Sequence, residues 1–443
     1  MSKKVDIETK TEIKLNRRRP TILFASDSPY YPTGFAIQCG TIANTVSKFF
    51  NWDTHYLGWQ TRGNPPISGF NYKVHGVRGN AMFGKDSYQD VFHEIAPDVL
   101  FTQGDAHMVD VLARQPRPFW MLYYPLDGDP INSMIESVLM AVDVPIAMSK
   151  YGQKLTKEQL KIDAEYVPHG INTSIFSPIN KLAARQAFFG EYGMKFKTDP
   201  KDMFIIGCVA RLNKRKHHMR LLEAFRMFMN AGSKEEKKLK KETCYLYLHL
   251  DAKDPLYIGD ANHDYFFLEQ IECRGIGENV IITPASNQSR KKYNFLEGIP
   301  PQDLSLLYNC FDVHALSTGG EGFGIPIVEG MACGLPTVAT NYTTTEEFLL
   351  LGDNEEVVPK EEQRGIAVPY VTAYMERCGV RKAWIDVKKM AQAFQKYWKD
   401  EELRKLHGKN ARDWAVSHYD WTVVNKMWID LFEKVNTNIE LVM

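Results

Sequence analysis

The chain has 443 residues, a hydrophobic fraction of 44%, and Lys+Arg balanced against Asp+Glu at 54 each. That length supports two or three domains, and zero formal charge removes global attraction to nucleic acid or membrane as an organising force, leaving only local patches. The seven cysteines are odd in number and show no C-x-x-C or metal-ligand spacing, which favours reduced thiols in a cytoplasmic protein over a disulfide framework.

Residues 1–19 are polar, end in Arg17-Arg18-Arg19 and lack the apolar core of a signal peptide. A disordered tail is expected there. No apolar run reaches the ~18–20 residues needed to span a bilayer, so any membrane contact is expected to be peripheral.

The first strand is expected over 21–27, running into Ser28-Pro-Tyr-Tyr-Pro-Thr-Gly34-Phe35 and a helix from about 36 to 49. This loop sits at the carboxyl end of a strand, where open α/β sheets bind ligands. Gly34 is a point where backbone can approach a ligand closely. Further strands are expected at 54–59, 98–102, 119–124, 144–148 and 166–167, alternating with helices such as 86–95 and 131–141. Short buried strands alternating with helices imply a parallel sheet covered on both faces. Two polar groups follow strands here, Gly104-Asp105-Ala-His107 and Tyr123-Tyr-Pro-Leu-Asp127-Gly-Asp129-Pro130.

After a charged helix over 180–190 the pattern repeats. A strand at 204–211 runs into Leu-Asn-Lys-Arg-Lys216 and a helix over 219–229. Residues 233–243 are Lys/Glu-rich and read as a solvated helix end or loop. Strands resume at 245–250 and 280–283, followed by Thr283-Pro-Ala285 and a long loop over 286–301 carrying Arg290, Lys291 and Lys292. Loops of this length are often functional. A helix over 301–311, strands at 313–317 and 335–340, a helix opening at Thr343-Thr-Thr-Glu-Glu347, and a last strand at 365–369 follow. Helices are expected to fill 382–416, with a final amphipathic helix after 417.

The second half is organised by Glu321-Gly-Phe-Gly-Ile-Pro-Ile-Val-Glu329, continuing to Gly334-Leu-Pro336. It is a strand, a Gly-rich loop and a helix, with Pro326 suited to the first turn and Gly334 to the stop. The arrangement aims free N–H groups and the positive end of a helix dipole at a ligand above the sheet. An anion such as a diphosphate suits the amides. The flanking carboxylates, Glu321 and Glu329, would repel phosphate but accept hydrogen bonds from hydroxyls. Phosphate on amides and sugar hydroxyls on glutamates together describe a nucleotide-sugar.

Two glutamates bracketing Gly-Phe-Gly, followed by Glu-Gly-Met-Ala-Cys-Gly-Leu-Pro, resemble the donor-site motif of the family-four retaining glycosyltransferases (glycosyl transferases group 1). The resemblance covers roughly residues 21–435. It implies the GT-B fold: an N-terminal Rossmann-like acceptor domain over 20–185, a C-terminal Rossmann-like donor domain over 200–417, and a C-terminal helix (about 418–443) crossing back to the first. It also implies transfer of a sugar from a UDP- or GDP-linked donor to an acceptor hydroxyl with retention of configuration.

By the same resemblance, Glu321 contacts the transferred sugar and Glu329 the nucleotide ribose. Gly322 and the amides of Phe323, Gly324 and Ile325 face the sugar and diphosphate. Arg211 and Lys216 match the basic pair that grips the diphosphate, and their fixed charge would replace a metal, so no cofactor is expected. Thr283 falls in the base-binding loop, and the Gly34 loop lies beside the diphosphate and acceptor. Many members carry a His after the strand at 119–124. This chain does not, and Asp127 is the nearest polar candidate for that catalytic position, with Asp105 and His107 another. Asp127-Gly-Asp129 also matches the D-x-D metal signature of the other glycosyltransferase fold. Two rival readings remain: a nucleotide-sugar binding protein without catalysis, and a GT-B phosphorylase or epimerase. The acceptor is not named by the sequence.

Overall fold

The computed structural model describes residues 19–63, 69–251, 267–283, 298–376 and 378–442, so the expected tail up to residue 18 and loop residues 284–297 lie outside the described residues. Seven strands build the first sheet: β1 (Thr21–Ser26), β2 (Asp53–Arg62), β3 (Lys73–Val77), β4 (Val99–Gln103), β5 (Phe119–Tyr124), β6 (Val144–Ala147) and β7 (Glu165–Tyr166). All pair in parallel, in the order β3-β2-β1-β4-β5-β6-β7. Six more build the second: β8 (Phe204–Val209), β9 (Cys244–His249), β10 (Val280–Ile282), β11 (Val313–Leu316), β12 (Thr337–Thr340) and β13 (Gly365–Val368). They too are parallel, in the order β10-β9-β8-β11-β12-β13. The central strands are continuous apolar runs because helices cover both faces; every residue of β8 and β9 is buried.

In both sheets the chain order reverses at the first-formed strand, β1 or β8. The loops leaving that strand and its neighbour open a crevice at the carboxyl edge. The two crevices face each other. The linker leaving the first domain meets the chain on its return: Ile171 N–H donates to Tyr419 O at 2.7 Å, and Trp421 N–H to Ile171 O at 3.1 Å. The helix Trp421–Val442 then covers the first domain. Its Trp428 stands edge-on to Tyr123 with ring centroids 4.9 Å apart, and Phe432 packs against Phe24, Trp52 and Phe101. Asn436 Oδ1 accepts from Trp52 Nε1 at 2.8 Å.

Several sequence expectations are revised. Residues 234–243 form a helix, Lys234–Thr243, with a Ser233/Glu236 capping box. Its Lys240 is buried rather than solvated, donating to Phe228 O at 2.8 Å and Ala231 O at 3.0 Å. The helix Lys181–Glu191, partly assigned by sequence to the first domain, packs on the second: buried Arg185 pairs with Asp312 at 2.6 Å and donates to Cys310 O at 2.9 Å. The largest revision lies after β13. In place of a helix beginning at 382, the chain forms an antiparallel hairpin, β14 (Tyr370–Met375) and β15 (Arg381–Ile385). Helices resume only at Val387–Lys399. Tyr370-Val-Thr-Ala-Tyr-Met375 is rich in β-branched and aromatic residues, which favour a strand even though most of this one is exposed. Among the described residues, no helix is long and apolar enough to cross a membrane.

Candidate functional site

After β11 the chain turns through Ser317–Gly324 into the helix Ile325–Ala332, with Pro326 in the first turn. Gly320 lies at φ 151°, and a Cβ there would stand 2.1 Å from Asp127 O of the first domain. Both the backbone conformation and this approach require glycine. The loop is held from behind. Glu321 N–H donates to Thr343 Oγ1 at 2.9 Å, and Thr344 Oγ1 to Phe323 O at 2.7 Å. A second loop, after β8, is stitched to it: Gly319 N–H donates to Arg215 O at 2.7 Å, and Ser317 Oγ to Lys216 O at 2.8 Å.

These stitches fix the charges. Glu321 is buried, with Lys216 Nζ on Oε1 at 2.6 Å and Arg215 Nη1 on Oε2 at 3.1 Å. Burial alone would raise the Glu321 pKa, but Arg215 and Lys216 hold the carboxyl down at about 2. Burial draws the Lys216 pKa below the ordinary lysine value, with Glu321 opposing. Arg215 also reaches the first domain: its Nε lies 3.4 Å from Asp127 Oδ2. Lys382 of β15 pairs with the other oxygen, Asp127 Oδ1, and donates to Asp127 O at 2.8 Å. Asp129 is taken by Arg381 and by Tyr342 Oη at 2.6 Å. The D-x-D pair is thus occupied by cations and a phenol on the opposite domain.

Glu329, further along the helix, is half-buried and accepts from Tyr308 Oη at 2.8 Å. Burial lifts its pKa to about 7, against the pull of that hydrogen bond. The two glutamates therefore differ: Glu321 is firmly anionic and cation-bound, whereas Glu329 sits at the edge of ionisation.

Gly34 begins the helix Gly34–Phe49, capped by Thr33, whose Oγ1 accepts from Ala36 N–H at 3.1 Å. A Cβ on Gly34 would stand 2.9 Å from Ile325 Cδ1. The first-domain helix start and the start of the helix Ile325–Ala332 thus abut across the cleft. Gly322 lies against Pro125, which follows β5. Phe323 is buried against His169 and Phe348, so only its backbone is available to a ligand. Thr283 is buried after β10, bonded to His249 Nδ1 at 2.9 Å and Tyr247 Oη at 3.2 Å, and the residues that follow it, 284–297, lie outside the described residues.

Arg211 is exposed at the rim after β8 rather than against Glu321. The guanidinium at Glu321 belongs to Arg215, a residue outside the Arg211/Lys216 pair that the resemblance pointed to. The side chain turns inward because Lys214–Lys216 forms a 3-10 turn capped by Asn213, whose Oδ1 accepts from Arg215 N–H at 2.9 Å. Asp105 is the other acidic group at the mouth of the first domain. Burial, then the neighbouring Asp127 charge, lifts its pKa to about 6, against His107, Arg215 and Lys382. Asp105 follows β4 and Asp127 follows β5, adjacent strands whose ends open on the same edge.

Residues 194–369 match the family model described as glycosyl transferases group 1. The chain is 27% identical to a D-inositol 3-phosphate glycosyltransferase of Segniliparus rotundus over 208 residues, 46% of this chain and 37% of that relative. It thus spans little more than a third of that relative's length. It is 24% identical to a probable sucrose-phosphate synthase of Thermosipho melanesiensis over 416 residues, 85% of each chain. Among solved structures, sucrose-phosphate synthase from Thermosynechococcus elongatus superposes with a TM-score of 0.70 at 16% identity, covering 95% of this chain and all of that one. Anabaena HepE in complex with UDP and glucose does so with a TM-score of 0.62 at 14% identity, over 94% and 100%. These likenesses show the GT-B fold.

Proposed function

We infer that this chain, whose residues 194–369 belong to the glycosyl transferases group 1, moves a sugar from a nucleotide-sugar to an acceptor hydroxyl, with retained anomeric configuration and without a metal. The observation that carries this reading is the Lys216–Glu321–Arg215 cluster at the start of the Ile325–Ala332 helix. Two cations and a helix N-terminus form a fixed positive field suited to a diphosphate whose charge grows as the glycosyl bond breaks. When phosphate takes up Lys216 and Arg215, Glu321 is left to accept from sugar hydroxyls. Glu329 would accept from the ribose hydroxyls, which would displace the Tyr308 hydroxyl or share the carboxylate with it. The donor class is supported by the UDP-bound Anabaena HepE, which shares the fold.

Retention follows the family likeness. No carboxylate is assigned as a nucleophile. The acceptor oxygen attacks the anomeric carbon on the face the leaving group departs from, the carbon–oxygen bond to the diphosphate breaks, and a donor phosphate oxygen takes the acceptor proton. Nucleotide-sugar titrations by calorimetry, beginning with UDP-glucose and GDP-mannose, followed by assay of nucleoside diphosphate release, test the reading. Binding with release supports it. Binding without release across a panel of acceptors would instead favour a binding protein.

Metal dependence is separable. Release should persist in excess EDTA, because Arg215, Lys216 and the helix amides supply the charge. Loss of activity in EDTA that Mg²⁺ or Mn²⁺ restores would overturn the metal-free mechanism and return Asp127 and Asp129 to consideration as ligands.

A further inference from the structure

The β14–β15 hairpin departs from both domain sheets and has so far been given no role. One edge of the hairpin is fastened to both sides of the cleft. Arg381 N–H donates to Asp129 O at 2.6 Å and Ala383 N–H to Gly319 O at 2.9 Å, while Asn132 Nδ2 donates to Cys378 O at 2.7 Å. Three segments from two domains therefore meet: 127–129, 319–321 and 381–383. They meet so closely that a Cβ on Gly128 would stand 2.2 Å from Arg381 O.

At the centre is Lys382, whose side chain is only 2% exposed and ends on Asp127, at both the carbonyl and the carboxylate. Asp127 has two cations, and they differ in what else they serve. Arg215 is shared with Glu321 and stands beside Lys216, where the diphosphate is expected, so an arriving donor competes for it. Lys382 pairs with no other acid among the described residues.

We propose that Lys382 is a positioning residue: it keeps Asp127 and its loop against the Gly319–Glu321 loop once a nucleotide-sugar has drawn Arg215 away, so that the hairpin clasps the acceptor side of the cleft to the donor side. This rests on the nucleotide-sugar reading above. The buried member of the pair is the ammonium: Lys382 is 2% exposed and, among the described residues, finds its acid only in Asp127, whose carboxylate is 36% exposed. An unpaired buried charge is strongly disfavoured, so the Lys382–Asp127 contact persists after Arg215 leaves.

The test uses the full chain with the nucleotide-sugar selected by calorimetry from UDP-glucose and GDP-mannose, and water as the acceptor. Lys382→Met should lower kcat for nucleoside diphosphate release about ten-fold, the scale of one charge-assisted hydrogen bond, and leave nucleoside diphosphate affinity unchanged. Lys382→Arg should restore most of the rate. Lys382→Met combined with Asp127→Asn should be no slower than Asp127→Asn alone, because both act through one contact. Multiplying effects, or an equal loss of diphosphate affinity, would overturn the proposal. Hydrogen exchange provides an arm independent of catalysis: peptides spanning 125–132 should exchange faster in Lys382→Met than in the parent. Unchanged exchange there sinks the clasp even in an active enzyme. Faster exchange in a chain that binds no nucleotide-sugar keeps the clasp as an interdomain contact while removing its proposed role in turnover, together with the function above.

Discussion

Lys216→Ala should lower kcat/KM for nucleoside diphosphate release by a factor on the order of 10² to 10³, the usual cost of removing a preorganised charge partner from a developing anion. Two losses combine. The diphosphate would forfeit a largely buried ammonium, and Glu321, buried and anionic, would keep Arg215 as its one cation among the described residues. The second loss disturbs the unliganded protein, so a thermal melt of the variant belongs beside the assay. Arg215→Ala and Arg211→Ala should be measured together. Arg215 touches Glu321 and Asp127, whereas Arg211 lies at the exposed rim, so Arg215→Ala should be the more damaging. If Arg211→Ala is worse, the outer arginine swings inward when the donor binds. Near-normal kcat/KM in Lys216→Ala would remove this cluster from the mechanism.

The glutamates should separate by partner and by pH. Glu329→Gln should weaken nucleoside diphosphate binding about ten-fold or more, and Glu321→Gln should spare that binding but depress transfer to a similar or greater extent, since a hydrogen bond to a charged group is worth roughly 1.5–3 kcal/mol. Equal loss of diphosphate affinity in both variants would refute the division. The pH dependence comes from Glu329, raised to about 7 by burial. Ribose hydroxyls donate, so they favour the ionised carboxylate and lower its pKa in the complex. Binding near and below pH 7 must then release a proton, and affinity should rise as pH rises through that range. A diphosphate also titrates near pH 6, so the diagnostic is the difference between the parent and Glu329→Gln. Calorimetry in buffers of different ionisation enthalpy should show fewer protons released by the Gln variant. For stability the sign is opposite: a carboxyl whose folded pKa lies above its unfolded value favours folding at low pH, and that contribution is lost between about pH 4.5 and 7. Glu321, held at about 2, contributes stability above the ordinary carboxylate pKa that is lost as pH falls toward 2.

What the sequence disclosed, and what it hid, follows from the kind of interaction involved. Phe204–Val209 and Val313–Leu316 are visible as strands because both faces are buried and the apolar run is unbroken. The loop and helix over 321–334 are visible because glycine, proline and glutamate each have a local reason to be there. Arg211 rather than Arg215 was singled out because spacing along a loop does not reveal which side chain a 3-10 turn directs inward. The hairpin was missed because Arg381–Ile385 merges with the charged helix after it, and its anchors, Asp129 O and Gly319 O, belong to distant parts of the chain. Lys382 therefore carries no local signature of its partner, Asp127.

The helix Trp421–Val442 completes a domain built from the opposite end of the chain. During synthesis, β1, β4 and β5 emerge long before Trp428 and Phe432, which cover Phe24, Phe101 and Tyr123. Until the whole second domain has been translated, the first presents a bare aromatic face on the ribosome. The first domain thus depends on the last segment to be made, and a nascent chain that stalls within the second domain leaves behind a sticky, unfinished first half, a natural client for a chaperone.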